Sequence, residues 1–274
     1  TGLTEFAKKF PNRFFDVGIA EQHAVGLAAG MSKSGLIPVV PLYSSFIQRA
    51  YDQLVHDVAI QNLPVVICAD RAGIVGNDGE THQGLLDMAF TNTIPNFNIM
   101  APKDFNELEN MLDFAINLNK PVLIRYPRGG EEISFEKCDE IKYGKAEVLE
   151  EGKDIVIIAI GKMVSKAIQV SEELKNYGII STVINARFLK PFDNDTVLKK
   201  VVGAKKVITI EDGTVIGGLG DLVEQLLYEN KIDVEFEKFA YPDEFIKHGS
   251  VNEIEEKYGL DVGSIVKCLK NQEK

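Results

Sequence analysis

PVVICADRAGIVGNDGETHQG, residues Pro64 to Gly84, decides how the first half of this chain reads. The apolar run Val65–Ala69 stops at Asp70, and glycines interleaved with Arg71, Asp78, Glu80, Thr81 and His82 follow it. A buried strand that releases polar groups into a glycine-rich loop at its C-terminal end is where open α/β sheets bind ligands. Gly73, Gly76, Gly79 and Gly84 are expected to let backbone amides approach such a ligand closely. A solvated surface loop is the plainer alternative, and the other strand ends turn the reading toward an active site.

Outward from this segment, short apolar runs alternate with amphipathic stretches, the pattern of a parallel sheet covered by helices. Strands are expected at 13–17, 38–43, 65–70, 98–100 and 121–126, with helices at 24–33, 46–60, 85–90 and 105–117. Pro64 and Pro121 mark strand entries, and Pro102-Lys103-Asp104 is a turn into a helix. A charged stretch, 129–143, reads as a connection. A second α/β series follows, with strands at 155–160, 179–185, 207–211 and 234–239. Its helices are expected at 164–177, 193–202, 217–229, 251–258 and 262–269. The fold class is thus α/β, two open and mostly parallel sheets flanked by helices. The expected domains are residues 1–130 and 147–274, joined by a linker at 131–146.

The chain of 274 residues carries a net charge of −11, which argues against nucleic acid and anionic membranes as partners. The acidity is uneven: residues 1–128 have a net of −3 and the remainder −8, so the first half can still offer a cationic pocket. Cys68, Cys138 and Cys268 form no C-x-x-C pair, which fits structural thiols in a reducing cytoplasm. The four histidines lack ligand spacing, so no metal site is expected in the chain itself. TGLTEFAKKFPNRFF has no apolar core with a cleavage site and begins almost in mid-element, so the chain reads as a piece of a longer one.

Polar residues gather at the expected strand ends of the first half: Asp16, Glu21 and His23; Tyr43, Ser44, Ser45, Phe46 and Arg49; Asp70, Arg71, Asp78 and His82; Arg125 and Arg128. In a parallel sheet these ends share one edge. Arg49, Arg71 and Arg128 suit a phosphate or carboxylate, because a guanidinium offers a bidentate fork, although surface arginines in weak ion pairs are the plainer reading. Glu21 opens the small-residue helix AVGLAAG, and the pattern admits both a capping role and a partly desolvated functional carboxylate. GGLGD at 217–221 lacks the third glycine and the acidic partner of a dinucleotide fingerprint, and reads as a tight strand-to-helix turn.

These residues carry a resemblance. AEQH at Ala20–His23, YSSFIQRAYDQ at Tyr43–Gln53, DRAG with DG-x-THQG at 70–84, and YPRG at Tyr126–Gly129 resemble the pyrimidine-binding domain of the 1-deoxy-D-xylulose-5-phosphate synthase family. The second half is similar to the transketolase C-terminal domain that follows it there, so the resemblance covers essentially the whole chain. AEQH alone is shared across thiamine enzymes; the Gln48-Arg49 pair, DRAG and YPRG are closer to the synthases than to transketolases. The family's N-terminal domain, with its GDG…N motif for Mg2+ and diphosphate, has no counterpart in this sequence.

The resemblance implies a transferase that condenses pyruvate with D-glyceraldehyde 3-phosphate to 1-deoxy-D-xylulose 5-phosphate and CO2. That is the first step of non-mevalonate isoprenoid synthesis, which also feeds thiamine and pyridoxal. It implies thiamine diphosphate and Mg2+ as cofactors, with diphosphate and metal held by the absent N-terminal domain, and a cytoplasmic homodimer. Glu21 would hydrogen-bond the aminopyrimidine, Phe46 would stack on it, and His82 would relay a proton. Arg49, Arg71 and Arg128 would hold the substrate phosphate, with Tyr43 and Asp78 positioning the hydroxyl end. His23 and His56 are expected to be structural. Two alternatives stay open: the C-terminal subunit of a split transketolase, and an inactive assembly module when the N-terminal domain is missing.

Overall fold

Ile67 and Ala69 face one apolar cluster while Val66 and Cys68 face another, so the strand they share is buried on both sides. This is why its sequence shows an unbroken apolar run rather than alternation. The computed structural model describes residues 2–135 and 139–271. Thr1, residues 136–138 with Cys138 and part of the expected linker, and residues 272–274 lie outside the described residues.

The first half runs α1 (Thr4–Lys9), α2 (Glu21–Lys33), β1 (Val39–Tyr43), α3 (Ser44–Ile47), α4 (Tyr51–Gln53), β2 (Val66–Asp70), α5 (Asp87–Asn92), β3 (Asn98–Met100), α6 (Phe105–Leu118) and β4 (Val122–Tyr126). The second runs β5 (Glu147–Glu150), β6 (Ile155–Ala159), α7 (Met163–Lys175), β7 (Ser181–Asn185), β8 (Phe188–Lys190), α8 (Asn194–Val201), β9 (Lys206–Thr214), α9 (Leu219–Glu229), β10 (Glu235–Tyr241), α10 (Val251–Lys257) and α11 (Val262–Asn271).

Two five-stranded sheets result, ordered β1-β2-β4-β3-β8 and β10-β9-β6-β7-β5. All pairings are parallel except β3–β8 and β5–β7, which close one edge of each sheet antiparallel. The α/β class with mostly parallel sheets is as the sequence pattern requires. The expected turn at 102–104 is there too: Asp104 caps α6, its carboxylate accepting from the Glu107 N–H at 2.7 Å.

Three expectations are corrected. Residues 13–17 form no strand; a single turn at Pro11–Arg13 gives way to backbone that is extended at Phe14 but pairs with nothing, leaving Phe15 and Ile19 exposed. Its residue types favour a strand, but a strand also needs a partner edge. The single helix expected over 46–60 is broken into α3, a 3-10 turn at Gln48–Ala50, α4 and a π-helical turn at Leu54–Ala59. β5 and β8 had no sequence signal, being short edge strands, and β8 crosses from the second half to complete the first sheet.

The halves are joined by buried charge as well as by a continuous apolar core. Glu107 of α6 accepts from Lys103 Nζ (3.1 Å), Arg187 Nε (2.7 Å) and Asn185 Nδ2, while Glu147 of β5 meets Lys103 at 2.8 Å and Arg187 at 3.1 Å. Arg125, expected among the ligand-facing strand ends, is instead buried. Its Nε meets Asp87 at 3.0 Å and its Nη1 meets Asp212 of β9 at 2.5 Å.

Candidate active site

The C-terminal ends of β1 and β2 bring together most of the residues singled out in the sequence. Glu21 stands in the first turn of α2 and is 8% exposed. Ala24, Ala28 and Ala29 on the same helix are buried without bulk, so the helix packs close to its neighbours. The start of α2 carries no side-chain cap, so Glu21 is not used as one. Its ionic partner among the described residues is Arg49, whose Nη1 lies 3.6 Å from Oε2. A carboxylate nearly removed from water with so distant a partner has lone pairs to offer a ligand.

From Arg49 the contacts continue through aromatic rings. The Arg49 guanidinium lies 5.2 Å from the Phe46 ring centre. Phe46 stacks with Tyr43 at 5.7 Å and meets the His82 imidazole in a T-shaped contact at 5.2 Å. Arg71 covers Tyr43 at 3.8 Å. Glu21, Arg49, Phe46, Tyr43, His82 and Arg71 thus form one connected group. Asp78 and Arg128 are placed differently: they pair with each other at 2.8 Å, both in contact with solvent. His23 and His56 are exposed, and the Asp57 carboxylate raises the His56 imidazole above its usual value.

The loop that delivers His82 is tightly defined. Arg71 adopts the left-handed region at φ +61°, an unusual conformation for a non-glycine residue, and so turns the chain at the end of β2. Gly73 and Gly84 then pair across the loop with reciprocal N–H···O bonds of 2.8 and 2.7 Å. The Thr81 hydroxyl lies 2.8 Å from His82 Nδ1.

The glycines serve a different end from the one expected. A Cβ on Gly84 would stand 2.4 Å from the Arg71 carbonyl and 2.6 Å from Ser44 Oγ. One on Gly73 would stand 2.2 Å from Asp212 Oδ2, and one on Gly76 would stand 3.0 Å from the Gly249 carbonyl. All four glycines abut protein, and three of them face the second half of the chain.

Sequence reasoning missed that second half. Asp212 reaches the loop base, and Glu211 beside it accepts the Leu219 and Gly220 N–H groups at 2.9 and 2.7 Å, filling the N-terminus of α9. The GGLGD turn is therefore occupied by an internal carboxylate, and Gly218 is required because a Cβ would meet Glu211. Burial pushes Glu211 up to about 7 against those bonds and Arg125. Burial works the same way on Asp212, but Arg125 and Lys162 outweigh it and hold that carboxyl below its usual value. The available signal was a pair of acids ending an otherwise apolar strand, VITIED.

Burial, aided by Asp70, pushes the Cys68 thiol up to about 12, so it is inert in the core. Among the described residues no group of three His, Cys, Asp or Glu side chains is placed to hold a metal ion. No helix among them is long and apolar enough to cross a membrane.

The chain matches the transketolase pyrimidine-binding domain over residues 1–130 and the transketolase C-terminal domain over residues 144–265. It is 49% identical over 271 residues to the 1-deoxy-D-xylulose-5-phosphate synthase of Clostridium acetobutylicum, covering 98% of this chain and 44% of that protein. The synthase of Caldanaerobacter subterraneus is also 49% identical, with 98% and 43% covered. The chain therefore spans less than half the length of these curated relatives.

Among solved structures, a chain described as split gene transketolase, inactive beta4 tetramer, superposes with a TM-score of 0.90 at 32% identity, covering 99% of this chain and 88% of that one. Campylobacter jejuni transketolase, at 18% identity and a TM-score of 0.76 over 94% of this chain and 39% of its own, shares the fold. The chain therefore belongs to the transketolase family, where it corresponds to the C-terminal part of the 1-deoxy-D-xylulose-5-phosphate synthases.

Proposed function

We propose that this chain forms the pyrimidine-binding side of a thiamine-diphosphate site in an enzyme that joins pyruvate to D-glyceraldehyde 3-phosphate, giving 1-deoxy-D-xylulose 5-phosphate and CO2. The observation that carries the reading is the nearly buried Glu21 carboxylate set beside the Phe46 ring through Arg49. Those residues fit an aminopyrimidine: an acceptor out of water for a ring nitrogen, and a flat apolar face for the ring. When bound, thiamine diphosphate supplies the electron sink for decarboxylation and carbon–carbon bond formation.

The chain's own residues do the rest. Glu21 holds a proton shared with the aminopyrimidine nitrogen. Phe46 and Tyr43 exclude water from that ring. His82, held at its Nδ1 side by Thr81, stands T-shaped against Phe46 and is the group to move a proton at the substrate. Arg49, Arg71 and Arg128 are the cations for the substrate phosphate, and Tyr43 with Asp78 would orient its hydroxyls. Diphosphate and Mg2+ would be held by the preceding part of the longer protein, which leaves the site incomplete in this chain, and a second copy is the proposed dimer partner. DRAG, Gln48-Arg49 and YPRG favour the synthase.

The likeness to a split transketolase chain over 88% of its length supports a second reading, a subunit that acts only with a separate cofactor-binding partner and transfers two-carbon units. Substrates separate the two. In the complete protein, Glu21→Ala is expected to abolish both turnover and the thermal stabilisation given by thiamine diphosphate. Arg128→Ala is expected mainly to raise KM for the phosphorylated aldehyde. A rise confined to the pyruvate KM would refute the phosphate assignment, and ketol transfer without CO2 release would favour the split transketolase.

A further inference from the structure

Three glycines of the loop lie against two parts of the second half. Gly73 abuts Asp212 in β9, Gly76 abuts Gly249 and Val251 at the start of α10, and Gly79 lies against His248, with a would-be Cβ contact of 3.4 Å. All three have positive φ, +75°, +74° and +75°. A side chain would be strained at all three by the positive φ, would clash at Gly73 and would be tight at Gly76.

One side chain ties the two surfaces together. Gln83 is buried between His82 and Gly84, and its Oε1 accepts the N–H of buried Val75 at 2.8 Å. Its Nε2 reaches the Lys247 carbonyl at 3.5 Å, immediately before the residues that seat Gly76 and Gly79. The first bond is the stronger, and losing it would leave a buried N–H without a partner, which costs more than the net value of the bond. The second is long and weak; it links the loop to the 247–251 segment, while the Thr214 N–H of β9 donates to the Leu85 carbonyl at 3.1 Å where the loop ends.

We propose that Gln83 is a positioning residue, which fastens the loop carrying Asp78 and His82 to the Lys247–Val251 segment, so that the second half of the chain sets where His82 stands beside Phe46. That His82 then acts on substrate rests on the reading in the preceding subsection; the fastening does not.

Two variants of the complete protein test it. Gln83→Met keeps the volume and removes both bonds. Gln83→Glu keeps an acceptor for Val75 but sets a carboxylate oxygen against the Lys247 carbonyl. In Gln83→Met, amide hydrogen exchange is expected to quicken about tenfold or more in both 73–84 and 246–251, with β6 unchanged. In Gln83→Glu the Val75 amide stays protected while 246–251 quickens. With thiamine diphosphate bound, kcat falls about 10- to 100-fold in Gln83→Met while both KM values hold within about threefold, the signature of a misplaced group rather than lost binding. Wild-type exchange in both variants, or quickening of 73–84 alone, would overturn the fastening. Quickening of both segments with an unchanged kcat would support the fastening and overturn instead the catalytic role given to His82.

Discussion

The arginines of this chain fall into two groups that look alike in sequence and differ in their surroundings. Arg125 and Arg187 are buried at the junction of the halves, each ion-paired with two carboxylates: Asp87 and Asp212 for the first, Glu107 and Glu147 for the second. Arg49, Arg71 and Arg128 lie over rings or in long or exposed pairs, with donors free to meet a ligand. A guanidinium buried between two carboxylates is a strut, whereas one over a ring or in a long or exposed pair is open to a ligand. Sequence types alone do not separate the two, because both groups end strands or follow them.

The junction should fail hardest when it loses a cation. Arg125→Met is expected to destabilise the protein by about 3–5 kcal/mol, since Asp87 and Asp212 would stay buried without the guanidinium that both meet. Urea unfolding should show a lower midpoint at unchanged slope. Adding Asp212→Asn to that variant removes one of the two stranded charges and should recover part of the loss. A simple sum of the two single losses would mean that the three residues do not act as one unit.

Next in size is a pH effect on the same junction. Burial holds Glu211 at about 7 in the folded chain, against an ordinary value of 4.5, so the folded protein keeps this proton more tightly than the unfolded one. The stability from Glu211 is therefore fully present below pH 4.5 and is lost as pH rises through about 7. Asp212 acts in the opposite sense: its folded value lies below 3.8, so its contribution is present above that pH and is lost on acidification. Unfolding free energies measured between pH 5 and 8 should decline with pH in the native chain, and Glu211→Gln should flatten that decline. An unchanged slope in the variant would show that another group carries it.

How much of this could be read beforehand follows from the same contrast. Strands β2, β3 and β4 were legible because parallel strands buried on both faces must be apolar throughout, and Pro64 and Pro121 marked their entries. The grouping of Tyr43, Phe46, Arg49, Arg71 and His82 was legible because parallel strand ends share an edge; Glu21 joins it from the first turn of α2 rather than from a strand end. What was not legible depends on pairing across long sequence separations. The stretch at 13–17 has strand-like residues but no edge to join, β8 is only three residues long, and the broken helix over 46–60 packs on α2 and β1. Arg125 is out of place for the same reason. Its partner Asp212 lies 87 residues away, and no local pattern announces it.

The smallest effect on stability is expected where the effect on binding should be greatest. Arg128 and Asp78 meet at 2.8 Å, but the Arg128 side chain is 52% exposed and that of Asp78 33%, so solvent screens the pair. Such pairs contribute on the order of 0.2–1 kcal/mol at most, and Arg128→Ala should move the unfolding midpoint by less than about 0.5 kcal/mol of stability. The guanidinium that this pair holds loosely is one that a phosphate could take over, because exchanging an exposed carboxylate partner for a dianion costs the fold little. A loss of stability as large as that from Arg125→Met would place Arg128 among the struts and remove it from the binding group. A near-silent stability change with a raised KM for the phosphorylated aldehyde would set the two kinds of arginine apart by experiment, as their surroundings already do.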